Sequence, residues 1–357
     1  MSPMLHAPHR DDPDHVLPLR LEAGSPGRDA RARAIAAAAL PGWPADDARV
    51  EVVSGGITNA LLRLRAPDGR TVLVRGYGPN TEVVIDRARE NRTFARLSAA
   101  GFAPPYLARF EDGRVEGDLV GFRALGPSEM GTDRWRRPIA RRLAELHTHP
   151  PESDAPQTFA TLQAWMQQAR ACTFEGPAAA AHAALDLPRQ AAALDQLEEH
   201  FERCLHPGAT TPGAAAAVRT VLAHNDLLSG NILVDEGTGE VRFIDYEYGD
   251  AGHAAFDVAN HFGEYAGFDS DFARGYPDAA TRRDFASAYL GTTTVAVLDD
   301  FDDFVRFFTL VDHLWWGAWA VVQARHSPID FDFMEYARLR FAGLAFHTAR
   351  WGPLARG

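Results

Sequence analysis

Apolar and polar residues alternate with a period of two through RVEVVSGGITNALLRLRAPDGRTVLVRGYG (residues 49–78), interrupted by Gly55-Gly56 and by Pro67-Asp68-Gly69. Such alternation broken by turn residues predicts three antiparallel strands, near 49–54, 59–65 and 71–76. A helical pattern follows over about 86–100, then two weaker strand patterns near 106–110 and 118–123. Beyond Leu125 the period changes to that of helices, at 136–147, 159–171, 195–204, 281–290 and, with many aromatics, 301–325. Gly126-Pro127 breaks the pattern between the two regions. The expected fold class is therefore α+β: a small β-rich part over residues 41–125 and a larger, mainly helical part over 126–357. Residues 1–40 are read as an N-terminal arm followed by the alanine-rich helix 30–40, with the first 30 or so residues mobile because they are rich in Pro, His, Asp and Arg and show little periodicity.

One stretch inside the helical part breaks its rhythm. HNDLLSGNILVDEGTGEVRFIDYEYGD runs from His224 to Asp250. Two short apolar runs, Ile232-Leu233-Val234 and Val241-Arg242-Phe243-Ile244, flank the turn residues Glu236-Gly237-Thr238-Gly239. This predicts a β-hairpin that returns Asp245 to the loop carrying Asp226 and Asn231. An aspartate, an asparagine five residues later and an apolar-flanked aspartate after a hairpin form the layout of a phosphotransferase catalytic loop. A turn with solvated carboxylates is the bland alternative, but Asp is disfavoured in strands and Asp245 directly follows Phe243-Ile244.

Composition narrows the choice. At 357 residues, 46% hydrophobic and 24% charged, the chain suits a soluble two-part enzyme. A net charge of −12 argues against nucleic acid or an anionic membrane as main partner. No apolar run approaches the length of a membrane span, and no secretory signal is expected. The two cysteines, Cys172 and Cys204, lie in no metal-type pair and read as free thiols, in keeping with a cytoplasmic protein. All 36 basic residues are arginine, so any phosphate-binding cation in this chain is a guanidinium, which grips phosphate oxygens with several planar donors.

Gly55-Gly56 would let backbone N–H groups approach phosphates, with Ser54, Thr58 and Asn59 as further donors, although an ordinary Gly-Gly hairpin turn reads the same way. Arg75 on the third strand and Glu90 on the next helix fit the cation–carboxylate pair that contacts nucleotide phosphates in such enzymes. Downstream, Trp316 and Trp319 share a helix face and Tyr336 follows in FDFMEYARLRF. A stripe like this is core by default, yet aromatic faces also bind ammonium groups. Glu264 and Asp257 are candidates to add negative charge there, and His261 reads as structural.

These motifs resemble the choline/ethanolamine kinases. The resemblance covers about residues 50–345 and rests on GGITN, VRGYGPNTEVVIDR, HNDLLSGNIL, FIDYEYGD, FDVANHFGEYAGF and WWGAWAVVQARHSPIDFDF leading to Tyr336. It implies the two-lobed protein-kinase-like fold, with ATP and Mg2+ as cofactors and a small amino alcohol as substrate. It implies Asp226 as base, Asn231 and Asp245 as magnesium ligands, and Gly55, Gly56, Thr58, Asn59, Arg75 and Glu90 around the nucleotide. Glu264, Trp316, Trp319 and Tyr336 would line the amine pocket, and Glu247 and Tyr248 match the segment after the metal aspartate. LL after HND, IDYEY, and EYAGF after NHF resemble the ethanolamine branch, whereas Gly230 departs toward the choline side. The implied product is phosphoethanolamine for phospholipid synthesis. A choline or dual specificity and, more distantly, an aminoglycoside-type phosphotransferase are the alternatives, and a homodimer is compatible with the family.

Overall fold

The computed structural model describes residues 7–53 and 59–351. Ser54, Gly55, Gly56 and Thr58 lie outside the described residues. The chain divides into two compact units, Met1–Arg123 and Ala124–Gly357.

The first unit is built on a mixed sheet. Its elements are β1 (Val16–Leu17), α1 (Arg28–Ala39), β2 (Arg49–Val53), β3 (Asn59–Arg65), β4 (Thr71–Tyr77), α2 (Arg87–Ala99), β5 (Tyr106–Phe110) and β6 (Gly113–Gly117). The strands lie in the order β1-β5-β6-β4-β3-β2. The alternation of β3 and β4 brings Leu62, Leu64, Val72 and Val74 to one buried face, packed with Ile35, Ala36 and Phe110. Asp86 caps α2 by accepting from the backbone of Ala88 and Arg89, both at 3.0 Å.

Two expectations fail here. The strand expected at 118–123 lies at Gly113–Gly117 instead, immediately after β5. A tight Glu111-Asp112 connection fixes that register, placing Val115 opposite both Val74 and Ala108. Gly113 makes it possible: a Cβ there would stand 2.0 Å from the Arg75 carbonyl oxygen. The described part of the N-terminal arm, from residue 7 onward, is not loose either. Leu17 and Leu21 are buried in the sheet's core, and β1 pairs parallel with β5. The Asp112 carboxylate accepts from the backbone of Leu21 at 2.8 Å and Glu22 at 3.0 Å. Leu17, Leu19 and Leu21 alternate, so this strap carries a short strand pattern beneath its prolines and charges.

The second unit is mainly helical. The helix Val295–His326 is buried along most of its length and packs against Pro212–Val218, Thr158–Ala171, Ala254–Gly263 and Phe333–Trp351. The helix expected at 195–204 starts earlier, at Leu187, because Asp186 caps it and Pro188 fits its first turn. The hairpin forms as the turn residues require: Ile232–Val234 pairs antiparallel with Val241–Phe243, Val241 opposite Val234 and Phe243 opposite Ile232. Among the described residues no helix is long and apolar enough to cross a membrane.

Candidate active site

The strand Thr220–Ala223 delivers the chain to His224-Asn225-Asp226. This loop is held from beneath by Asp257, whose carboxylate accepts from the backbone of His224 (2.7 Å) and Asn225 (2.8 Å). Asp257 is itself held by His147, whose Nε2 donates to it at 2.9 Å while Nδ1 meets the Tyr289 hydroxyl at 2.6 Å. Burial would raise the Asp257 carboxyl, but the His147 hydrogen bond and charge and the loop N–H bring it below the ordinary value. Asp257 therefore supports the loop rather than lining the amine pocket. His261 is structural, as expected: it is buried, and its Nδ1 donates to the Leu227 carbonyl at 3.0 Å.

Three bonds tie this loop to the segment beyond the hairpin. His224 Nε2 donates to the Ile244 carbonyl (2.9 Å), Asn225 Nδ2 to the Tyr248 carbonyl (2.9 Å), and the Ile244 N–H to the Asn231 carbonyl (3.1 Å). Asn231 Nδ2 donates to the Asp226 carbonyl at 2.8 Å and to its carboxylate at 3.0 Å. That commits the amide nitrogen to Asp226 and leaves Oδ1 as the atom able to face a cation. Asp245 sits at φ 66°, a left-handed conformation costing on the order of 1–3 kcal/mol for a residue with a side chain. The packed hairpin and the His224 bridge hold it there. Carboxylate oxygens of Asp245 and Glu247 lie within 4.8 Å of each other.

The electrostatics follow from crowding. Asp226 is buried, and its carboxyl is pushed well above the ordinary value, first by burial and then by the charges of Glu264, Asp245 and Glu247; the Asn231 hydrogen bond opposes this. Glu264 is raised to about 7 by burial, against the pull of Arg340. Arg340 is one residue that sequence reasoning missed. It is buried on the helix Phe333–Trp351, donating to Glu264 at 3.2 Å and to the Tyr336 hydroxyl at 3.3 Å, and pairing with Asp312. An arginine four residues after Tyr336 in an apolar helix is the signal that could have found it.

Tyr336, which shares Arg340 with Glu264, belongs to one buried group of aromatics. Trp319 Nε1 donates to the Tyr248 hydroxyl at 2.9 Å, Tyr248 meets Trp316 edge-on with centroids 5.5 Å apart, and Trp316 and Trp319 are 5.2 Å apart. Tyr336 joins through Trp319 at 6.5 Å. Trp165, 6.0 Å from Tyr248, extends the group and was not expected. The pairing was invisible because Trp165 lies in a separate helix, Thr158–Ala171.

In the sheet unit Arg75 and Arg114 stand directly opposite on β4 and β6, a repulsive arrangement unless a carboxylate intervenes. Glu116 supplies it, accepting from Arg75 Nη2 at 3.2 Å and from Arg114 Nε at 2.8 Å. Arg114 also pairs with Glu90, which accepts from Arg87 Nη1 at 2.7 Å. Arg87 continues to Thr81 at 2.6 Å and Asn59 at 3.4 Å. Arg75 and Glu90, expected as a pair, are thus joined through Glu116 and Arg114. Burial works against the Glu90 carboxylate, yet Arg114 and Arg87 bring it down to about 2.

Comparison with known proteins gives the family and the fold. The profile described as Choline/ethanolamine kinase matches residues 50–345. A probable ethanolamine kinase of Arabidopsis thaliana is 36% identical over 302 residues, covering 82% of this chain and 77% of that protein. A probable choline kinase of the same plant is 31% identical over 312 residues, covering 82% of this chain and 85% of that protein. The solved ethanolamine kinase of Plasmodium vivax shares the fold with a TM-score of 0.77 at 24% identity, covering 88% of each chain. The chain has the α+β, protein-kinase-like fold and belongs to the choline/ethanolamine kinase family.

Proposed function

We propose that this protein transfers the γ-phosphoryl group of ATP to the hydroxyl of ethanolamine, giving phosphoethanolamine for phospholipid synthesis in the cytoplasm. The observation that carries the reading is a buried carboxylate, Asp226, among Glu264, Asp245 and Glu247, with Glu264 joined through Arg340 to Tyr336 and so to the aromatic group of Tyr248, Trp316 and Trp319. Three further carboxylates around a candidate base make sense where cations bind. One such cation is the substrate's own ammonium group. Glu264 accepts its N–H donors, the aromatic faces take up the remaining charge, and the hydroxyl is directed to Asp226. Positive charge entering the cluster returns Asp226 to its ionised form, so the base becomes competent as substrate arrives. Asn231 Oδ1, Asp245 and Glu247 are oxygen donors suited to magnesium, which when bound would neutralise charge on the phosphates. Arg75, held by Glu116, is the guanidinium assigned to phosphate oxygens, and the Gly55-Gly56 segment with Thr58 and Asn59 supplies backbone and side-chain donors.

The aromatic wall would also accept a quaternary ammonium, so choline is the second substrate to compare. Because Glu264 rewards N–H donors that choline lacks, kcat/KM for ethanolamine should exceed that for choline by about tenfold, or roughly 1.4 kcal/mol. An ADP-release assay on both amines measures it. A preference for choline would overturn the substrate assignment and leave the catalytic residues standing.

A further inference from the structure

Arg340 is buried and charged on a helix whose neighbouring positions are apolar. A structural requirement alone would be met as well by a hydrophobic side chain, because replacing buried ion clusters with apolar residues is often neutral or stabilising. What distinguishes Arg340 is where its bonds lead. On one side it holds Glu264 (3.2 Å) and the Tyr336 hydroxyl (3.3 Å), both in the amine pocket. On the other it pairs with Asp312, whose Oδ1 accepts from Asn260 Nδ2 at 3.1 Å. Asn260 Oδ1 in turn accepts the Leu227 N–H at 2.9 Å, one residue past Asp226. Asp312 and Asn260 are wholly buried, so nothing in this chain is loosened by water. Gly263 makes room for the pair: a Cβ there would lie 2.8 Å from Asp312 Oδ2.

We propose that Arg340 is a positioning residue that couples the amine pocket to the catalytic loop, along the path from Glu264 and Tyr336 through Asp312 and Asn260 to Leu227. An amine pulling on Glu264 shifts the guanidinium, and the hydrogen bonds pass that shift to the backbone that carries Asp226. The proposal rests on the ethanolamine reading.

A double-mutant cycle on the two ends tests it. Tyr336→Phe removes only the hydroxyl at the pocket end and should raise the ethanolamine KM by about fivefold with little change in kcat. Asn260→Ala removes the link at the loop end and should lower kcat by about tenfold with little change in KM. Unconnected sites combine to within about twofold, so a double variant whose kcat/KM departs by about threefold or more from the product of the singles supports the coupling. A smaller departure overturns it. Hydrogen exchange on the full chain without substrate separates this inference from the functional reading. Arg340→Lys should speed exchange of the Leu227 amide by about fivefold or more while the strand Thr220–Ala223 keeps its protection. Unchanged exchange at Leu227 overturns the coupling, even were ethanolamine inert.

Discussion

In the sheet unit three guanidiniums close on two carboxylates, and Glu90 is held down to about 2. In the helical unit carboxylates crowd one another, Asp226 is pushed well above its ordinary value, and Glu264 is raised to about 7. Both groups are buried, so burial alone does not set the sign of the shift. In the sheet group the guanidiniums overcome it, whereas in the helical group neighbouring carboxylates add to it at Asp226 and the pull of Arg340 falls short of it at Glu264. The first group is already neutralised by its own ion pairs and carries more guanidiniums than carboxylates, which suits a grip on an anion. The second leaves repulsion unresolved until positive charge enters, which suits a site that waits for an ammonium group and a metal.

The sharpest way to break this contrast is at Asp226. Asp226→Asn keeps the shape and removes the carboxylate proposed as base, so turnover should fall by about two to four orders of magnitude. Steady-state kinetics on the folded variant decides; turnover near that of the wild type would mean the crowding serves something other than proton transfer.

Glu116→Gln probes the other group. It leaves Arg75 and Arg114 facing each other with a weaker acceptor between them, and a broken buried pair of this kind costs about 3–5 kcal/mol. Urea unfolding measures the loss, and if Arg75 holds phosphate as proposed, the KM for ATP should rise with it as Arg75 loses this ion pair. An unchanged urea midpoint would show that the network does not hold the sheet.

The smallest effect is the dependence on pH, where the two groups should differ in sign. Glu264 has an ordinary value of 4.5 and a folded value of about 7. The folded state keeps a proton that the unfolded state has lost, so the Glu264 contribution to stability fades as pH rises from about 4.5 to 7. Glu90 has the same ordinary value and a folded value of about 2. Its contribution is present above 4.5 and fades as pH falls toward 2. Urea midpoints across pH for the wild type, Glu264→Gln and Glu90→Gln test both. A Glu264→Gln profile parallel to the wild type between pH 5 and 7 would refute the first half, and a parallel Glu90→Gln profile below pH 4.5 the second.

The parts legible in the sequence were those carried by repetition or by a rigid spacing. The period of two drew β3 and β4, and the hairpin turn placed Asp245 after Ile244. The Arg114 and Glu116 part of the polar network in the sheet was hidden because Arg114-Val115-Glu116 contains a single apolar residue and lies between the strands expected at 106–110 and 118–123. Asn260, Asp312 and Arg340 were hidden for a different reason: each is a buried polar residue on its own helix, where a sequence shows the helix but not which polar groups meet across it. Asp257 was assigned to the pocket because charge alone cannot reveal that its oxygens face backbone N–H groups.

The strap formed by Val16 to Glu22 bears on how the chain tolerates trimming. It reads as a disposable tail, yet Leu17 and Leu21, with the helix that follows, cover a large part of the apolar face of the sheet. Shortening the chain to its family-matching region would uncover that face and leave β5 as an unprotected edge strand, the combination that draws sheets into aggregates. The described residues ahead of β2, 7–48, thus shield an apolar sheet face and a strand edge within the same molecule.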